Sequence, residues 1–111
     1  MICRFIELTE GQVAIVDEKH YDRLMKYKWR AVKYKRSWYA KTDVFHYNKR
    51  TQISMHRMVA NTPKHLVCHH LDGNSLDNRE KNLMNMTKAH HTAYHQQNNV
   101  KVKYETPDRP A

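Results

Sequence analysis

Apolar and polar residues alternate twice near the start of the chain. Ile6 and Leu8, then Val13 and Ile15, stand on either side of the turn pair Glu10-Gly11. This predicts two short strands over residues 3–8 and 12–16. The period then changes. Tyr21, Leu24, Met25 and Tyr27 or Lys28 recur at helical spacing, and Asp17 is suited to cap a helix running to about Lys28. Two more strands are expected near 29–35 and 38–45, joined through Lys35-Arg36-Ser37. A further strand near 51–55 should follow a turn at Tyr47-Asn48-Lys49-Arg50. Met55 to Ala60 reads as a short helix that ends before Pro63.

The second half has a different rhythm. Leu66-Val67-Cys68-His69-His70 is a strand, Asp72-Gly73-Asn74 a turn, and Leu83-Met84-Asn85-Met86 a second strand. Thr87 can cap a helix of about ten residues ending near Gln97. The tail 98–111, with Pro107 and Pro110, has little to bury and is expected to be loosely held. There is no repeat and no low-complexity linker. The expected class is α+β in one compact unit: a β-rich part over 1–54, a second part over 55–97, and the tail.

Charge narrows the partners. Twenty Lys and Arg against eleven Asp and Glu give a formal net charge of +9, a field that attracts polyanions. No apolar run approaches the roughly 20 residues that span a bilayer, and the N-terminus meets acidic residues too soon for a secretory signal. Nucleic acid is therefore the expected partner, and a membrane is not. Two cysteines, Cys3 and Cys68, form no Cys-x-x-Cys pair, which argues against a Cys-based zinc site. The absence of a disulfide framework fits a reducing cytoplasm.

Nine histidines are unusual for this length, and five of them lie between His69 and His95. On a helix, His91 and His95 at i, i+4 project from one face and can grip one ion; His90 lies about 100° away. Taken alone, such a pair is more often a solvated polar face. His69 and His70 are adjacent on a strand and point to opposite faces unless a bend redirects one of them. One can then bind a metal while its neighbour faces a substrate water. His56 could stabilise the fold or donate to DNA, the structural role being favoured, and His20, His46 and His65 show no spacing that singles them out. Asp72, Gly73 and Asp77 have the composition of a tight turn and are read as structural.

The run Cys68-His69-His70-Leu71-Asp72-Gly73-Asn74-Ser75-Leu76-Asp77-Asn78-Arg79-Glu80-Lys81-Asn82-Leu83, continued by Met86-Thr87 and His91, resembles the HNH nuclease motif of the ββα-metal superfamily. Matching residue types extend over about 28 positions. Met55-His56-Arg57-Met58-Val59-Ala60 is similar to the segment preceding that motif in phage and intron-encoded homing-type HNH endonucleases. The resemblance implies an N-terminal β-rich part packed on a C-terminal ββα-metal motif over 55–97, and a phage or mobile-element origin. It makes His70 the general base and Asn82 a brace for the loop. His69, where many homing-type members carry Asp, and His91 become metal ligands, and His95 matches the extra ligand of colicin-type members.

Three imidazoles favour a transition metal over hard Mg²⁺, so one divalent ion among Mg²⁺, Mn²⁺, Zn²⁺ and Ni²⁺ is expected. His70, with a reference pKa near 6.5, would take a proton from the attacking water. By resemblance, the products are 5′-phosphate and 3′-hydroxyl ends on double-stranded DNA. A monomer would nick, whereas a two-fold homodimer would cut both strands. The competing readings are a DNA-binding module with a structural metal and no cleavage, and an RNA-directed or non-specific nuclease. Arg57, Arg79, Lys81 and Lys88 are candidate backbone contacts, Arg79 competing with a loop-fixing pair to Asp77. Basic and aromatic residues also interleave between Lys26 and Arg50. There Trp29 and Trp38 are assigned to the core, and the cations are shared between solubility and phosphate contact.

Overall fold

The computed structural model describes residues 2–93. Strands β1 (Cys3–Glu7) and β2 (Val13–Asp17) pair antiparallel, with Phe5 opposite Ile15. Their turn passes through Glu10 and Gly11 at φ of 57° and 70°, a conformation that glycine adopts at no steric cost. Helix α1 (Glu18–Leu24) stops a turn earlier than the apolar spacing predicts. The Trp29 indole donates to the Leu24 carbonyl at 2.8 Å, and Tyr27 N–H donates to the same oxygen at 3.1 Å. Both donors come from beyond the helix, so they end it and turn the chain into the next strand.

Strands β3 (Arg30–Tyr34), β4 (Ser37–His46) and β5 (Lys49–Ser54) form an antiparallel sheet in that order. The β4–β5 turn is two residues long, with Tyr47 and Asn48 at φ of 53° and 65°, the backbone sign of tight hairpins. Lys49 and Arg50 therefore leave the expected four-residue turn and pair with His46 and Phe45. Helix α2 (Met55–Ala60) ends on Asn61 in the left-handed region, a common helix stop. Strands β6 (Leu66–His70) and β7 (Leu83–Thr87) make a hairpin. Its loop, 71–82, closes with a 3-10 turn, Glu80–Asn82. Residues 88–93 are helical, and Thr87 Oγ1 accepts the His90 N–H at 3.0 Å as a cap.

The core gathers Ile6, Ala14, Val16, Leu24, Trp29, Ala40, Met55 and Val59 from both halves of the chain. Leu24 and Met55 are fully buried, each worth about 1.5–3 kcal/mol of transfer free energy. Trp29 belongs to this core, but Trp38 does not. It sits half-buried at the β3–β4 hairpin end, with the Lys33 ammonium 5.7 Å from its ring. The architecture is α+β, and no helix among the described residues is long and apolar enough to cross a membrane.

The long loop is not left to solvent. Ile15 N–H donates to the Leu76 carbonyl at 2.9 Å and the Ile15 carbonyl accepts Asn78 N–H at 2.8 Å, so loop residues 76–78 extend the edge of β2. Asp17 does not cap α1 with its side chain. Its buried carboxylate instead accepts the Glu80 N–H at 2.7 Å, capping the start of the 3-10 turn across 63 residues of sequence. Replacing Asp17 with Ala should cost about 1 kcal/mol, the ordinary value of a lost cap. A lower urea midpoint at unchanged slope, with faster hydrogen exchange at the Glu80 amide, would register it.

Candidate active site

A cavity of about 310 Å³ opens where β4, α2, β6 and the helical residues after β7 meet. Tyr39, His56, His69, His70, Ser75 and His91 contribute to its wall. His69 and His70, adjacent on β6, both reach it, although strand alternation would send them to opposite sides. His70 is the last residue of its strand, opposite Leu83, and the chain bends there into Leu71 and Asp72. Both histidines are buried.

The loop fixes His70. The His70 Nε2 lies 2.7 Å from Asn78 Oδ1, on a side chain with no exposure at all. An amide oxygen only accepts, so Nε2 carries the proton and Nδ1 keeps the lone pair. Burial pushes the His70 pKa below the ordinary imidazole value, against an opposing lift from Asn78, Asp72 and Asp77. Asn82 ties the two ends of the same loop. Its Nδ2 donates to the Asp77 carbonyl at 2.8 Å and its Oδ1 accepts Asp72 N–H at 3.0 Å, while Leu71 N–H donates to the Asn82 carbonyl at 2.8 Å. Asp72 turns the loop by accepting Asn74 N–H at 2.8 Å.

Across the cavity, the rings of His69 and His91 meet edge to face with centroids 5.1 Å apart. Imidazole nitrogens are ligands for borderline transition metals, which is the chemistry that this pair of rings offers. His95 lies outside the described residues. Among the described residues the group of three with ligand atoms within 4.8 Å of one another is Asp17, His20 and Glu80, which could hold a metal ion. These atoms already have protein partners: His20 lies between Glu80 and Arg23, whose guanidinium is 2.8 Å from Nδ1, and Lys19 pairs with Glu80 at 3.2 Å. The hydrogen bond from His20, reinforced by Lys19, holds the Glu80 carboxyl below its usual range.

The four basic residues singled out from sequence separate into two kinds. Arg57 donates to the carbonyls of Leu66 and Pro63, both at 2.9 Å, and so ties α2 to the start of β6. Arg79 grips Asp77 through two bonds of 2.8 Å and 2.6 Å, the loop-fixing arrangement, which holds the Asp77 carboxyl well below its usual range. Lys81 is exposed beside Asp17 and Glu80, and Lys88 is exposed just after β7.

Asn78 escapes a sequence reading except as part of the motif run, and the sequence gives Tyr39 and His56 no place in the histidine site. His56 is expected to serve the fold, yet it lines the cavity, its ring 4.7 Å from that of His70 and 6.1 Å from that of Tyr39. The available signal was the register of α2. Met55 and Val59 enter the core, which leaves the position after Met55 on another face. Tyr39 belongs to the face of the three-stranded sheet that carries Arg30, Tyr34, Lys41, Asp43, Phe45 and Arg50. On that face Asp43 is held between Arg30 at 3.1 Å and Arg50 at 3.2 Å, and Tyr34 and Phe45 are exposed.

Burial, with His70, Arg57 and Lys41 nearby, pushes the His56 pKa from 6.5 down to about 3. The unfolded chain therefore binds this proton more readily, and stability rises with pH across that interval. The contribution is complete above the unfolded pKa and is lost as pH falls toward the folded one. His56→Phe should lose less stability than wild type between about pH 7 and pH 4, read from urea midpoints with EDTA present. No family model, curated protein or solved structure matches this chain, so the chemistry of the cavity itself carries the functional reading.

Proposed function

We propose that this chain is a metal-dependent HNH-type endonuclease acting on double-stranded DNA, its β6–β7 hairpin and following helix forming a ββα-metal motif. One observation carries the reading. A histidine with a defined lone pair (His70, pinned through Nε2 by Asn78) shares one cavity with the facing imidazoles of His69 and His91. A base and a ligand set on one wall are what phosphodiester hydrolysis needs. His70 Nδ1 takes a proton from water as its oxygen attacks phosphorus in line; the bond to the 3′ oxygen breaks, and that oxygen takes up a proton from solvent to leave a 3′-hydroxyl. A divalent ion held by His69 and His91, with His95 joining them by resemblance, would neutralise charge gathering on the phosphate oxygens. Burial keeps His70 unprotonated at neutral pH, and Asn82 maintains the loop that carries Asn78.

The sheet face continuous with Tyr39 supplies a place for the duplex. Arg30, Lys41 and Arg50 outnumber Asp43 on it, so the face is cationic, and Tyr34 and Phe45 add exposed rings. Arg57 is tied to two backbone carbonyls and Arg79 to its own carboxylate, Asp77, whereas Arg30 and Arg50 share the single Asp43, so phosphate contact falls mainly to this face and to Lys88.

Supercoiled plasmid stripped of metal by EDTA should be converted to open circles when one of Mg²⁺, Mn²⁺, Zn²⁺ or Ni²⁺ is restored. Prompt linear product would instead indicate paired sites in a dimer. His70→Ala should lower cleavage at least about 100-fold while DNA affinity and metal content stay near wild type. His91→Ala should lose metal and activity together. Retained DNA binding with no cleavage in any metal would replace the nuclease with a binding module. For the sheet face, Arg50→Gln should weaken DNA binding and reduce the slope of log affinity against log salt by about 1.

A further inference from the structure

His56 has no part in the hydrolysis just described, yet it stands on the same cavity. Its place is firmly set. The Cys68 thiol donates to the His56 backbone carbonyl at 3.7 Å, and neighbouring Arg57 binds two carbonyls at the entry to β6. The imidazole is flanked by the rings of His70 and Tyr39. Neither of its nitrogens makes a hydrogen bond among the described residues. The ring is half-buried and its nitrogens are not closed off from solvent, so they keep their hydrogen-bonding capacity for a ligand. Its open side is the cavity.

Taking the cavity as the seat of a DNA phosphodiester, we infer that His56 is a second substrate-binding imidazole. It donates a ring N–H to a non-bridging phosphate oxygen, while His70 beside it faces the attacking water. The two rings thus divide the work. A neutral imidazole offers one N–H and one lone pair, and burial, helped by His70, Arg57 and Lys41, favours that form of His56. It is therefore a poor base and a good fixed donor. Its anchoring by Cys68 and its contacts with Tyr39 and His70 orient it before substrate arrives, the condition under which one donor to a developing oxyanion matters most.

Two measurements test this, one with turnover and one without. Single-turnover cleavage would be compared for wild type, His56→Phe, which keeps the ring volume, and His56→Gln, which keeps an N–H donor. The Phe variant should be slower by about 10- to 100-fold, the loss of one hydrogen bond to a charged group, with Gln recovering part of it. Separately, the imidazole ¹⁵N and N–H resonances of His56 would be followed in the wild-type protein during titration with a short duplex in EDTA. A downfield N–H shift at saturation is expected. A His56→Phe protein that cleaves at the wild-type rate, or His56 resonances unmoved by saturating duplex, would overturn the assignment. If wild type cleaves nothing while His56 still shifts with DNA, the nuclease reading fails and the phosphate contact stands.

Discussion

The edge of β2 holds the two halves of this protein in register. Ile15 gives both of its backbone groups to the loop between β6 and β7, and Asp17, two residues on, gives its carboxylate to the same loop at Glu80. Without that edge, residues 71–82 would be a twelve-residue excursion with unpaired backbone groups. With it, Asn78 is fully buried beneath His70, and a histidine at the end of a strand acquires one tautomer and one orientation. The N-terminal hairpin therefore acts on the histidine cluster through backbone geometry.

The cavity gathers imidazoles under conditions that suppress their charge. Burial lowers the pKa of His56 and of His70, and their closeness lowers that of His56 further. Two protonated rings 4.7 Å apart in a half-buried wall would repel, so the neutral state is shared. Neutral rings can accept protons, donate single hydrogen bonds or bind metals, and charged rings cannot do the first or the last. Most of the protein's positive charge is carried on the sheet and the loop surfaces, with Arg57 and Lys41 close to His56.

The three-stranded sheet connects these roles. Its buried side supplies Ala31, Ala40 and Thr42, small residues that allow close packing beneath, while its other side runs from exposed Phe45 and Tyr34 to Tyr39 at the cavity. Arg30 and Arg50 are fixed against Asp43, so two guanidiniums are ordered before any ligand is met. An ordered cationic face loses less side-chain entropy on binding than a set of free lysines.

The sequence by itself determined the kinds and order of the elements. Alternation marked β1 and β2, a turn signal between two short runs marked β6 and β7, helical spacing marked α1, and Thr87 marked the start of the final helical residues, because each of these signals is local. The histidine run and its spacing also stood out, and the fold brings His69, His70 and His91 to one cavity. Tertiary structure decided what local signals do not contain. Trp29 shortened α1 by taking the Leu24 carbonyl, and the φ values of Tyr47 and Asn48 moved Lys49 and Arg50 into a strand. Asp17 exchanged a helix cap close in sequence for an amide 63 residues away, and Trp38 stayed half-buried at a hairpin end. His56 became a cavity residue because α2 is tied by Arg57 against β6, which turns its ring toward His70. Each of these outcomes depends on contacts between residues far apart in the chain, whose geometry is set only when the two halves pack on the edge of β2.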